Sequence, residues 1–258
     1  MNKGEVCDSD QLKRLRRLIL DKTGIFLDET KNAVLISKLE KLATRRNVDS
    51  DQILNLVLRD DLTFNDFVNL VTVNHTYFYR EPEHFEHLVR SLETNRSDPV
   101  TIWCAACSYG HEPYTIAMFC ENSNKNYKIL ATDIDTRALQ IAKEAKYPIK
   151  HLQNLPQEFH RFFQVNNDSV EVIPKIRKRI RFEVLNLIET PYPLKPCFDY
   201  IFCRNVFIYF TFEQKIACLR NFVPLLKSSG FVYLGLSEFI NTQIDGLVFK
   251  GNSIYEKI

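Results

Sequence analysis

The sequence predicts an α/β protein: a mostly parallel sheet flanked by helices, preceded by an all-helical segment and interrupted by a small β insertion. Three observations carry this. The apolar run at 100–106 ends in small residues, makes one turn at Gly110 and enters a helix at Glu112-Pro113. A second run, 127–132, ends in the acid Asp133. Downstream, apolar runs at 179–184, 198–203 and 230–236 alternate with helical patterns, and 246–250 and 253–257 flank Gly251-Asn252 as a hairpin. Alternation closed by a hairpin makes one strand antiparallel in an otherwise parallel sheet.

Before residue 75 the pattern is helical. Leu12, Leu15 and Ile19 share one face behind Ser9 or Asp10 as caps, with Gly24 as a stop. Further helices are expected over about 30–46, 51–59 and from Thr63, which forms a weak capping pair with Asp66. Pro82 suits the first turn of a fifth helix, closed by the polar stretch 95–99. The alternation lapses over 147–178. There two short β runs around the turn 166–169 read as an inserted hairpin spanning 162–173. The expected division is therefore 1–75 helical, 76–99 linker and connecting helix, and 100–258 α/β with the insertion at 147–178.

Composition sets bounds. The 258 residues are 45% hydrophobic and 26% charged with a net charge of +2, so no polyelectrolyte signature calls for nucleic acid. Apolar runs fall short of the ~18–20 residues that span a bilayer, and the N-terminus lacks the apolar core of a signal peptide, so a cytoplasmic location without membrane insertion is expected. Cys104 and Cys107 have metal or redox spacing, but no second Cys or His pair accompanies them. They are expected to be structural, with no metal.

The strand–turn–helix with an acid about twenty residues on is the layout of a nucleoside-binding βαβ unit, in which the acid accepts from ribose hydroxyls. One glycine in the turn is too few for the dinucleotide fingerprint, and no P-loop occurs. An adenosine-type ligand without a pyrophosphate fits better. Gly110, Asp133, Asn186 and Arg204-Asn205 all fall at carboxyl ends of strands, where such sheets bind ligands. The polar, aromatic and basic linker Asn74–Pro82 is placed to line a cleft; alternatively Tyr77, Phe78 and Tyr79 simply pack, and Arg80 pairs with Glu81 or Glu83.

With these residues in hand, the chain resembles the CheR family of chemotaxis receptor methyltransferases along nearly its whole length. Residues 74–81 resemble the family's N-x-T-x-F-x-R-E stretch, and 107–115 its C-S-x-G-x-E-P-Y-[ST] motif. "ATDID", "RFEVLNL", "FDYIFCRNVFIYF" and "LGLSE" follow in family order. The resemblance implies a class I, Rossmann-like methyltransferase sheet. It implies transfer of a methyl group from S-adenosylmethionine to glutamate side chains on the cytoplasmic helices of chemoreceptors, with S-adenosylhomocysteine as product. It assigns Asn74, Thr76, Arg80, Glu112, Asp133, Asn186, Leu187, Arg204 and Asn205 to the cofactor. Arg80 and Tyr209 would also face the transferred methyl and the substrate carboxylate. Tyr109 and His111 depart from the usual Thr and Glu, and His111 is expected to be an exposed first-turn residue. The short turn 166–169 lacks glycine, so docking on a receptor's C-terminal pentapeptide tether is not expected. The basic residues Lys13, Arg14, Arg16, Arg17, Lys38, Lys41, Arg45 and Arg46 could steer an acidic partner, or form a solvated face. A monomer is expected. Two other readings are a non-catalytic cofactor-binding signalling module and a methyltransferase with another protein or small-molecule substrate.

Overall fold

A computed structural model describes residues 8–258. The chain divides into two compact units. One reaches to Val73 and includes Tyr209–Thr211; the other comprises Asn74–Ile208 and Phe212–Ile258. Cys7 lies outside the described residues.

The first unit holds four helices: α1 (Ser9–Thr23), α2 (Asn32–Arg46), α3 (Ser50–Arg59) and α4 (Asp61–Val71). The caps are aspartates lying before the ones the sequence suggested, Asp8 rather than Ser9 or Asp10 and Asp60 rather than Thr63. Asp8 accepts from the Gln11 N–H, and the Gln11 side chain accepts from the Asp8 N–H, a reciprocal box. Asp60 does the same service for α4 by accepting from the Thr63 N–H, so Thr63 is a buried residue inside the helix rather than its cap. A carboxylate reaching the N–H three residues on satisfies one of the donors a helix start leaves open. Gly24 does end α1, in a left-handed conformation with φ 77°. Leu15, Ile19, Leu39, Ile53 and Phe67 are fully buried between these helices.

The second unit begins with α5 (Pro82–Thr94) and continues β1 (Val100–Ala105), α6 (His111–Asn122), β2 (Tyr127–Asp133) and α7 (Thr136–Glu144). The insertion is β3 (Lys146–Pro148), β4 (Phe163–Asn166), β5 (Ser169–Val172) and α8 (Pro174–Arg177). Then follow β6 (Ile180–Val184), β7 (Phe198–Cys203), α9 (Phe212–Phe222), β8 (Leu226–Leu234), β9 (Leu247–Phe249) and β10 (Ile254–Lys257). The main sheet has the order β6-β2-β1-β7-β8-β10-β9. Its pairs are parallel from β6 to β8, and β10 is antiparallel to both of its neighbours. Counting strands of this sheet alone gives 3-2-1-4-5-7-6 with strand 7 reversed, the class I methyltransferase arrangement. The chain leaves β1 toward β2 on one side and returns to β7 on the other, so the switch point lies between β1 and β7, where open α/β sheets bind ligands.

All six residues of β7 are buried, as the central strand of a sheet covered on both faces requires. Two differences from the sequence reading have physical causes. β8 begins at Leu226, which pairs with Phe198, and a register irregularity carries the strand through the turn-like stretch 227–230 to Phe231 opposite Tyr200. The insertion is a three-stranded sheet, β3-β5-β4, rather than a hairpin. Lys146–Pro148 is too short and too polar to alternate, and Pro148 is tolerated because β3 is an edge.

Candidate functional site

The turn from β1 into α6 is wound tightly. Ala106 (φ 66°), Ser108 (φ 49°) and Gly110 (φ 86°) are all left-handed. For the two residues with side chains this costs ~1–3 kcal/mol each, and such strain gathers where ligands bind. Gly110 has a second reason to be glycine: a Cβ there would lie 2.9 Å from Ala142 Cβ and 3.1 Å from Tyr147 Oη. The same left-handed conformation recurs at Tyr79 (φ 61°), Glu81 (φ 59°) and Asn205 (φ 58°).

Asp133 closes β2 and is only 8% exposed. Oδ2 accepts from the Ser108 N–H at 2.7 Å and Oδ1 from the Asp135 N–H at 2.9 Å. Burial pushes this carboxyl up to about 6; the backbone donors oppose the rise and the neighbouring Asp135 adds to it. The Asn74 amide ties the same region together: its Nδ2 donates to Asp135 at 2.7 Å, and its Oδ1 accepts from the Ser108 hydroxyl at 2.7 Å.

At the end of β7 the Arg204 side chain is only 2% exposed and makes ion pairs with Glu81 at 3.1 Å and Glu112 at 3.0 Å. It also donates to the Arg80 carbonyl and lies 5.5 Å from the Phe85 ring centroid. Two carboxylates on one guanidinium diverge. For Glu81, burial raises the carboxyl, but Arg204 and the Asn205 amide outweigh it and the net shift is downward. For Glu112, burial dominates over Arg204, the nearby Glu81 charge adds to it, and the net shift is upward. Asn205 is held twice. Its Nδ2 donates to Glu81 at 3.0 Å, and its backbone N–H donates to Glu238 at 2.7 Å. Glu238 is 4% exposed and also accepts from the N–H groups of Gly235 (2.8 Å) and Ile208 (3.1 Å). Glu81 and Glu238 were not singled out from the sequence. Both stood inside quoted motifs, and the available signal was an acid next to a strand end.

Arg80 pairs with neither Glu81 nor Glu83. Its guanidinium donates to the His75 carbonyl at 2.6 Å and sits 5.7 Å from the Tyr77 ring centroid. Among the described residues it has no carboxylate partner within ion-pair distance. Phe78 is fully buried in the core of this unit, while Thr76 is half-buried. Asn186 folds back locally: its Nδ2 donates to Glu189 at 2.9 Å and its Oδ1 accepts from the Ile188 N–H at 3.3 Å. Leu187 is buried, and its carbonyl accepts from Tyr192 Oη at 2.8 Å. The structure thus brings Asn74 and Asp133 together at one carboxylate cluster, and Glu112, Arg204 and Asn205 together at another. Tyr209 ends a short 3-10 helix, Phe207–Tyr209, and belongs to the segment grouped with the first unit, where its carbonyl accepts from the Phe26 N–H at 2.8 Å.

His111 overturns its sequence expectation: it is 1% exposed, not a surface residue. Its ring packs on Phe78 and Tyr147, each 4.6 Å between centroids, and its Nε2 meets His151 Nδ1 at 2.9 Å. The burying groups come from the linker and the insertion, which first-turn composition cannot reveal. Burial, with His151 adding to it, pushes His111 down to about 3. An unfolded histidine takes up a proton near pH 6.5, whereas the folded one does not until about 3. Stability therefore falls as pH drops through this window, on the order of 1.4 kcal/mol per unit. Urea unfolding from pH 7 to 4 should show that slope reduced in His111→Phe; an identical slope in the variant would assign the acid sensitivity elsewhere.

Cys104 and Cys107 are buried free thiols. Among the described residues no group of three or more His, Cys, Asp or Glu is placed to hold a metal, and no helix is long and apolar enough to cross a membrane.

Residues 74–252 match the family model "CheR methyltransferase, SAM binding domain". The chain is 33% identical over 255 residues to the chemotaxis protein methyltransferase of Escherichia coli, covering 94% of this chain and 89% of that protein. It is 32% identical over 250 residues to the protein of the same description in Borreliella burgdorferi, covering 90% and 88%. The Listeria monocytogenes counterpart is 36% identical over 208 residues, covering 77% and 78%.

Proposed function

The chain belongs to the CheR methyltransferase family, and we propose that it methylates glutamate side chains on the cytoplasmic helices of chemoreceptors. S-adenosylmethionine-dependent methylation in chemotaxis is its activity, and S-adenosylmethionine its cofactor. The donor set fits that molecule. Each oxygen of Asp133 has a backbone N–H partner and retains acceptor capacity for ribose hydroxyls. Glu112, already paired with Arg204, would offer its carboxylate to the methionyl ammonium. The bound cofactor supplies a methyl group already activated on a sulfonium.

The observation that favours a carboxylate substrate is Arg80. Arg204 is saturated by Glu81 and Glu112, whereas Arg80 spends its guanidinium on a backbone carbonyl. A substrate carboxylate is the partner that such a cation lacks. An ionised glutamate is already a nucleophile, so no proton has to be removed. The two buried histidines of this unit, His84 (down to about 4, through burial and Arg204) and His111, are neutral at pH 7 and weak bases. Catalysis then rests on alignment and on stripping water from the carboxylate. Arg80 orients that carboxylate, since a stronger grip would stabilise the ground state and oppose transfer. Tyr209 is assigned beside it through the family motif alone, and Asn74, Thr76, Asn186, Leu187 and Asn205 complete the proposed cofactor contacts. We place the protein in the cytoplasm as a monomer.

Incubation with methyl-labelled cofactor and a receptor cytoplasmic fragment tests this. Label should appear on the fragment and be released as methanol by mild alkali, because a glutamyl methyl ester hydrolyses and an N-methyl group does not. Alkali-stable label, or none, would reject the glutamate assignment. Tether docking is not part of the reading. The β4–β5 connection is a tight turn, with Asn167 left-handed at φ 50°. Titration with a receptor C-terminal pentapeptide should show no micromolar binding, and saturable binding would overturn that expectation.

A further inference from the structure

We propose that Glu238 is a positioning residue for methyl transfer, locking the backbone that follows β7 into register with the end of β8; this rests on the methyltransferase reading above. One buried carboxylate gathers three N–H groups from two strand ends, and it divides them unequally. Oε2 takes Asn205 and Gly235, and Oε1 takes Ile208 alone. Asn205 takes a left-handed φ of 58°, which asparagine tolerates, and the tie fixes the chain in that conformation. The fit leaves no slack: a Cβ on Gly235 would lie 2.6 Å from Asn205 Nδ2 and 2.8 Å from Glu238 Oε2.

The unequal division separates two jobs. The Oε2 half fixes Asn205, whose side chain is already tethered to Glu81 and which stands among the proposed cofactor contacts. The Oε1 half fixes Ile208, the residue before Tyr209. Glutamine at 238 has one carbonyl oxygen. It preserves more hydrogen bonds by turning that oxygen toward Asn205 and Gly235, which leaves its NH2 facing the Ile208 N–H, donor against donor. Glu238→Gln therefore releases the segment leading to Tyr209 while leaving the Asn205 anchor in place. Gly235→Ala instead displaces Asn205 and the Oε2 half of Glu238 together.

The test measures S-adenosylhomocysteine affinity by calorimetry and turnover on a receptor fragment for the wild type and both variants. Glu238→Gln should bind within about 2-fold of wild type yet lose at least ~10-fold in kcat, the scale of a small misplacement of reacting groups. Gly235→Ala should lose affinity first. A kcat for Glu238→Gln within 2-fold of wild type, or affinity and kcat falling together, overturns the proposal. If Glu238→Gln does not fold, amide exchange at Ile208 in the wild type decides: protection like that of the sheet amides supports the tie, and exchange at a free-peptide rate rejects it. Absence of wild-type turnover on any receptor fragment would instead reject the methyltransferase substrate reading, while the exchange measurement still reports on the tie.

Discussion

Arg204→Met should lose about 3–5 kcal/mol of stability and all measurable S-adenosylhomocysteine binding. The guanidinium is buried and holds two carboxylates, Glu81 and Glu112. Removing a buried charge while its partners stay is costed at that scale, because the uncompensated ions remain out of water. Melting and calorimetry check both parts. The double variant Arg204→Met with Glu81→Gln should recover some stability without recovering binding, since it removes one of the stranded charges but not the loss of shape around Asn205. A single variant as stable as the wild type would mean that water reaches these carboxylates.

The second large effect concerns Asp133. Asp133→Asn should weaken S-adenosylhomocysteine binding about 100-fold, from two charged hydrogen bonds to ribose each worth ~1.5 kcal/mol. The wild type should itself be pH-dependent. Its carboxyl is pushed up to about 6 by burial, and the ionised form is the one that accepts from two hydroxyls. At pH 5 about a tenth of the free protein is ionised there, so affinity should be roughly 10-fold below that at pH 7.5. For stability alone the sign is opposite. The folded carboxyl holds its proton to higher pH than the unfolded one, so ionisation between about pH 4 and 6 weakens the unliganded fold. Calorimetry at both pH values, wild type beside Asp133→Asn, separates the cases. A wild-type affinity flat from pH 5 to 7.5 would show that Asp133 does not face the ribose as an anion.

Much of this was legible in the sequence because it is written in local patterns. Parallel strands buried on both faces read as continuous apolar runs, as in β1 and β7, and an acid closing β2 stands out after such a run. The caps fell earlier than expected because Asp8 and Asp60 compete with nearby polar residues, Ser9, Asp10 and Thr63, whose composition is equally suitable. What stayed hidden depends on contacts between distant segments. Glu81 reads as a solvated helix-start carboxylate until Arg204 arrives 123 positions later. Glu238 reads as a loop acid until three backbone N–H groups converge on it. His111 is buried by rings from the linker and the insertion, neither of which its own helix announces.

The insertion is rooted more deeply than an added hairpin would be. Tyr147 of β3 donates to the carbonyl of Tyr109 at 2.7 Å, and its hydroxyl is one of the atoms that forbid a side chain at Gly110. Phe163, at the start of β4, packs edge-on against Phe78 at 5.3 Å. The half of the insertion nearest the sheet is thus a wall of the turn from β1 into α6, while the exposed residues 164–168 project from it. The element therefore divides into an exchangeable crown and a root that cannot be transplanted. Grafts that swap only the crown should preserve cofactor binding, and grafts that replace the root would have to bring their own first turn of α6 with them.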